Sequence, residues 1–216
     1  MESKFTNISL CFGSLNGIMN GLCGYRFCKT LNFLKGDWMK KYLRYRLFLT
    51  KRFFQLSEDE IIVFGEFFLH VLDNTDLRKM KEYIQHGNTD TLLHSVAVAH
   101  FSYLLAKALR INIRLRPLIV GGALLHDYYL YDWHVPDRSH NWHGFRHPFT
   151  SAKNAHAHYS ISHIEEDIIL RHMFPLIPIP PRYRESAIVC LVDKICSVYE
   201  TFSKSPYESL PHKKMF

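Results

Sequence analysis

No stretch of this 216-residue chain reaches the roughly 18 uninterrupted apolar residues of a membrane span, so no transmembrane segment is expected. Repeated Cys-x-x-Cys spacing is also missing. The five cysteines, Cys11, Cys23, Cys28, Cys190 and Cys196, are odd in number, which excludes a disulfide framework and a zinc finger and makes a reducing, cytoplasmic compartment the expectation. The opening stretch, FTNISLCFGSLNGIMNGLCG, is diluted by Asn and Gly and is followed by no small-residue cleavage site, so no secretory signal is expected. Internal repeats and low-complexity tracts are absent, which excludes a repeat architecture.

Acidic residues are scarce at one end only. Residues 1–56 hold ten Lys and Arg against two acids, leaving 17 against 18 in residues 57–216. The net charge of +7 therefore belongs to the N-terminal quarter. A nucleic-acid partner is not expected, because the remainder is near neutral and carries no recognisable binding motif.

With 47% hydrophobic residues there is material for a single core, and disorder is not expected. Every readable periodicity is helical, which predicts an all-α chain. Residues 1–36 give no clear period and read as an ill-ordered part of a basic extension, 1–56. Within it, DWMKKYLRYRLFLTKRFF at 37–54 mixes cations with aromatics and reads as a basic amphipathic helix, which packs on its own domain or a partner rather than on an anionic membrane. Two helices are predicted next: SEDEIIVFGEFFLHVLDN at 57–74, and DLRKMKEYIQHG at 76–87, ending on Gly87.

From residue 88 five further helices are predicted. The first, about 90–109, sets His94, Ala97, Val98, Phe101, Leu105 and Ala108 on one face. The second opens at Pro117 and runs to about Leu130. A third starts at Pro148, and a fourth follows a Ser162/Glu165 capping box and aligns Ile164, Ile168 and His172. The fifth, about 184–201, aligns Val189, Asp193, Cys196 and Glu200. Between the second and third, DWHVPDRSHNWHGFRH is too polar and too long for a mere turn and reads as a functional loop.

Each of these five helices, or its edge, thus offers one or two good metal ligands: His94, His126 with Asp127, His147, His172 and Asp193. Imidazole and carboxylate together suit Mn, Fe, Zn, Co or Ni. A lone histidine on an apolar face is commonly a core residue, and fourteen histidines make chance matches easy. Asp127 and Asp193 are harder to place without a cation, because a carboxylate in an apolar stretch needs a partner. Asp127 can also bind one ion through each oxygen and so bridge a pair.

In this order, His, His-Asp, His, His and Asp on successive helices, the chain resembles the HD-domain metal-dependent phosphohydrolase superfamily. The segments GALLHDYYLYDW, HGFRHPFTSAKNA, DIILRHMFPL and IVCLVDK carry the resemblance, which covers residues 86–202 within a domain at 57–216. It implies an HD-type helical bundle of the six-ligand, two-metal subgroup. His94, His126, Asp127 and Asp193 would bind one ion and Asp127, His147 and His172 the other, with two divalent ions, Fe or Mn first, as cofactors. Tyr128 and Tyr129 stand where cyclic-dinucleotide phosphodiesterases of the superfamily carry Gly and Lys after the pair, and Met173 replaces a second histidine, so that substrate is not carried over.

The implied activity is hydrolysis of a small phosphate ester or nucleotide through a metal-activated water. Asp127 would be catalytic together with His143, Arg146, Lys153 and Lys194, which adjoin the ligands and can contact phosphate; His134 and His140 share the loop. Tyr128, Tyr129, Tyr131 and Trp133 offer an aromatic wall, of which at least half is expected to be core. Two other uses of the same residues stand beside hydrolysis: a diiron oxygenase, and a degenerate domain that keeps its metal as a structural clamp. The expected partner is a small phosphorylated molecule, and a homodimer is compatible with the sequence.

Overall fold

The structure, a computed structural model, describes residues 75–138 and 141–207. The expected basic extension at 1–56 with its helix at 37–54, the expected helix at 57–74, and His140 lie outside the described residues. Among those described the chain is all-α apart from one two-stranded ribbon.

Helix α1, Thr75–Lys79, gives way to a 3-10 turn at Met80–Glu82 and then to strands β1, Ile84–His86, and β2, Thr89–Asp90. The single helix expected over 76–87 is therefore corrected to one helical turn and a hairpin. Leu77 and Met80 are buried at helical spacing, but the pattern ends there. Gly87 does not cap a helix. At φ 56° it opens the turn of the ribbon, in which Ile84 pairs with Asp90 and His86 with Thr89. A Cβ on Gly87 would lie 2.8 Å from the main-chain oxygen of Glu200, so both the left-handed backbone and the close approach require glycine.

Helix α2, Thr91–Ala108, is capped by Asp90, whose Oδ1 accepts from the Leu93 amide at 2.8 Å. Every residue from Thr91 to His100 is buried. The one-sided face expected for this helix is thus too narrow at its start and too long at its end, where Phe101 and Leu105 are half-buried and Ala108 is exposed. A helix buried all round lies in the middle of its fold. It ends in a Schellman motif: Arg110 takes φ 55°, its amide donates to Lys107 O at 3.0 Å, and the Ile111 amide donates to Ala106 O at 2.9 Å.

Burial of His100 on α2 lowers its pKa from 6.5 to about 4. Its neutral form is favoured by folding, whereas the unfolded chain takes up a proton below 6.5. The associated stability is full above pH 6.5 and is lost as pH falls toward 4, by up to about 3 kcal/mol. Urea denaturation at pH 7 and pH 4.5 is expected to show a smaller loss for His100→Leu than for the parent chain. Equal losses would count against the burial account.

Helix α3, Arg116–Leu125, has Pro117 in its first turn as expected, but it stops at Leu125 and not at Leu130. The side chain of His126 turns back to Ala123 O at 2.6 Å, the next residues form turns, and Leu130 takes φ 60°. The side-chain amide of Asn154 donates to the carbonyls of Tyr128 and Tyr129 at 2.9 and 3.3 Å, which satisfies groups that a continuing helix would have paired. Helix α4, His143–His158, begins five residues before the expected start at Pro148, which lies inside it. The functional loop is correspondingly shorter.

Helix α5, His163–Arg171, carries the expected capping box: the Glu165 amide donates to Ser162 Oγ at 3.3 Å, and the Ser162 amide to Glu165 Oε2 at 2.8 Å. Helix α6, Arg184–Phe202, buries Val189, Asp193, Cys196 and Glu200 as its spacing predicted. Helix α2 packs on α3 and α6, while α5 packs on α3, α4 and α6. At Gly122 a Cβ would stand within 2.6–2.9 Å of three Ile168 side-chain atoms, so its absence lets α3 and α5 close up; the His126 and His172 rings that follow these helices lie 4.8 Å apart. No described helix is long and apolar enough to cross a membrane.

Candidate metal centre

All six expected ligands are buried and converge where α2, α3, α4, α5 and α6 meet. His94 comes from the buried half of α2, His126 and Asp127 from the end of α3, His147 from the second turn of α4, His172 from the end of α5 and Asp193 from the middle of α6. Asp127 faces two ways. Its Oδ2 lies 3.2 Å from His126 Nε2 and 3.7 Å from His94 Nε2, and its Oδ1 lies 3.2 Å from His147 Nε2 and 3.6 Å from His172 Nε2. Asp193 Oδ1 stands 3.2 Å from His94 Nε2 and 3.7 Å from His126 Nε2. Three overlapping groups, His94–His126–Asp127, His126–His172–Asp193 and Asp127–His147–His172, are compact enough to hold a metal ion.

The main chain sets the tautomers. His126, His147 and His172 direct Nδ1 at the carbonyls of Ala123, His143 and Ile169, at 2.6, 2.9 and 2.8 Å. A carbonyl only accepts, so each Nδ1 carries a proton, and in the neutral ring Nε2 turns its lone pair inward. Two consequences are visible. His147 Nε2 and His172 Nε2 stand 2.8 Å apart, an arrangement that needs a cation, proton or metal, beside the two lone pairs. His126 Nε2 and Asp127 Oδ1 are fully buried without a well-aligned hydrogen-bond partner. Such atoms are costly unless something positive meets them. The donor set and its unpartnered atoms therefore fit divalent metal.

Charge agrees with this arrangement. Burial opposes ionisation of Asp127 and Asp193, yet the neighbouring histidines, His126 foremost, hold both carboxyls well below the usual range. Burial likewise opposes charge on His126, but Asp127 carries it up to about 9, and Glu200 and Asp193 hold His94 well above its ordinary value. Burial pushes His172 down to about 3, helped by repulsion from His126 and His147. In the absence of metal, protons on His94 and His126 thus compensate the buried carboxylates, and metal ions would replace them.

Around these six, the structure adds residues that sequence reasoning left out. Gln85, from β1, donates its amide to Asp127 Oδ2 at 2.6 Å, and Tyr129 donates its hydroxyl to Gln85 Oε1. Thr91 stands 3.2 Å from the same hydroxyl. A three-residue strand carries no periodic signal, so nothing in the sequence marked Gln85. Glu200 was aligned with Asp193 by spacing, but its role was not.

The remaining candidates separate. His143 lies beside the cluster, its ring stacked on His147 at 4.5 Å and on Trp133 at 5.2 Å, with Nδ1 2.9 Å from Tyr131 Oη. Arg146 is exposed one residue before His147. Lys194 donates to His172 O and to Asp193 Oδ2, the latter at 3.1 Å, so it braces two ligands. Lys153 is exposed, and among the described residues no hydrogen bond or ion pair joins it to the six. His134 is exposed and bonded to Asp132. Tyr128 and Tyr129 are core, as half of the aromatic set was expected to be, while Tyr131 and Trp133 are half-buried.

No family model, no curated protein and no solved structure matches the chain.

Proposed function

We propose that this chain is an HD-domain metal-dependent phosphohydrolase acting on a small phosphate ester or nucleotide. The observation that carries the proposal is the two-sided use of Asp127, with one oxygen toward His94 and His126 and the other toward His147 and His172. Asp193 completes the first half. The histidine and carboxylate set suits Fe or Mn, and also Co, Ni or Zn. When bound, a pair of divalent ions supplies Lewis acidity that lowers the pKa of water and neutralises charge on phosphoryl oxygens.

The chain's own residues do the rest. Gln85 fixes the rotamer of Asp127 through Oδ2, and Lys194 fixes Asp193 through its second oxygen, so the ligands are held before anything binds. The stack of His147, His143 and Trp133 leads outward from the cluster. In this reading His143 meets the substrate phosphate, Arg146 adds positive charge from the solvent side, and Tyr131 and Trp133 form the wall for a base or sugar. Lys194 orients ligands instead of contacting phosphate, and Lys153 has no assigned task. No side chain is required as nucleophile.

Elemental analysis of the purified protein, joined to an anaerobic screen of nucleotides and phosphomonoesters with Mn, Fe, Co and Ni, tests the proposal. Bound metal with phosphate release is the expected result. Mixed-valence iron with O₂ consumed on a hydroxylated substrate would replace it with the oxygenase reading. Stoichiometric metal with no turnover on a broad panel would leave a structural clamp.

A further inference from the structure

The four histidines of the centre are not backed alike. Three of them place Nδ1 on a neutral main-chain carbonyl. His94 instead places Nδ1 2.9 Å from both carboxylate oxygens of Glu200, 106 residues away. Glu200 is itself fully buried, and its Oε1 accepts from Tyr207 Oη at 2.7 Å. A buried carboxylate is expensive unless its oxygens are paired, and here both are spent on one imidazole and one phenol. The acceptor-only carboxylate fixes the proton on His94 Nδ1, which leaves Nε2 to face Asp193 Oδ1 at 3.2 Å and Asp127 Oδ2 at 3.7 Å.

The two halves of the centre therefore differ in charge. The half built from His94, His126, Asp127 and Asp193 has two carboxylates of its own and a third behind His94. The half built from Asp127, His147 and His172 has only the shared carboxylate, and both of its imidazoles rest on neutral carbonyls. A carboxylate behind a ligating histidine makes the imidazole a stronger donor and fixes its orientation, and its loss commonly costs 10–100-fold in metal affinity.

We propose that Glu200, anchored by Tyr207, is a positioning residue for His94 that makes the His94–His126–Asp127–Asp193 half the tighter of two unequal metal sites. The inference rests on the metal reading above and goes beyond it in assigning an order of filling. The half that contains His147 and His172 fills second and releases its ion first.

The test is a titration of the metal-free full chain with Mn²⁺, followed by calorimetry, with far-ultraviolet circular dichroism to check folding. The parent chain is expected to bind in two steps, the first at least tenfold tighter. Glu200→Gln keeps the shape of the side chain and an oxygen for Nδ1 but removes the charge. It is expected to weaken the first step 10–100-fold while the second changes less than threefold. Tyr207→Phe keeps the ring and is expected to weaken the first step by a smaller factor, three- to tenfold, which keeps the inference testable should Glu200→Gln fold poorly.

Thermal melts of the metal-free variants separate positioning from mere support of the fold. A metal-free melting temperature near that of the parent, beside a weakened first step, supports the inference. An unchanged first step in both variants, or equal losses on both steps, overturns it. Absence of any binding by the parent chain would instead overturn the metal reading on which it rests.

Discussion

On the proposed dinuclear hydrolase reading, Asp127→Asn is expected to lose both ions together and to reduce turnover on the order of 10³-fold or more, because several kcal/mol of transition-state charge stabilisation would depend on ions held through this side chain. The substitution preserves volume, so the effect is chemical and not a cavity. It removes the charge that faces both pairs of imidazoles, and it turns an amide N–H₂ toward one pair where an oxygen had faced both. Replacing a single-sided ligand such as His172 should remove one ion and leave the other. Metal per chain, measured after gel filtration, distinguishes these outcomes. Retention of one ion by Asp127→Asn would show that this carboxylate serves one half only.

On the same reading, stripping the metal from the parent protein is expected to lower its melting temperature by roughly 8–16 °C. A ligand present at a thousandfold over its dissociation constant stabilises the fold by about 4 kcal/mol, and each kcal/mol moves the midpoint by about 2–4 °C in a domain of this size. The buried carboxylates Asp127, Asp193 and Glu200 then rely on protons at His94 and His126 for compensation. The sign of the pH dependence follows. His126 has a folded pKa raised to about 9, so its contribution to the metal-free protein is full below about 6.5 and fades as pH climbs through 9. A metal-loaded protein would have ions in place of those protons, and the gap in melting temperature should widen from pH 6.5 to 9. Differential scanning calorimetry with and without a chelator measures it. A gap that narrows over this range would contradict the account.

What could be read in advance was whatever rests on helical spacing. Asp193, Cys196 and Glu200 share a face because α6 runs uninterrupted from Arg184 to Phe202. The Ser162/Glu165 cap marked the start of α5 because its chemistry is local to four residues. The six ligands were identifiable as residues able to bind metal, and the fold brings all six together. Element ends were less legible. Nothing local announces that α3 stops at Leu125, since the group that takes the carbonyls of Tyr128 and Tyr129 beyond it is Asn154, distant in sequence on α4. Pro148 suggested a beginning and lies within α4 instead.

Helical spacing over 76–87 covers the first strand of the ribbon, because its three residues are too few to set a period of their own. The partners of the ligands were hidden for a different reason. Gln85 meets Asp127 across 42 residues and Glu200 meets His94 across 106. Only tertiary structure pairs them. The direction of Lys153 was likewise a matter of which way α4 is rolled, and proximity in sequence to His147 did not determine it.

The distance along the chain between His94 and its two nearest carboxylates, 99 residues to Asp193 and 106 to Glu200, fixes when the centre can exist. During synthesis five of the six ligands emerge from the ribosome before Asp193. Until Asp193 has emerged His94 has neither of those two acidic partners, and until residue 200 has followed it lacks the one at its Nδ1. A nascent chain stalled between α5 and α6 would have the four histidines and a single aspartate of the six, so on the proposed metal reading capture by the complete centre would come late in the life of the polypeptide.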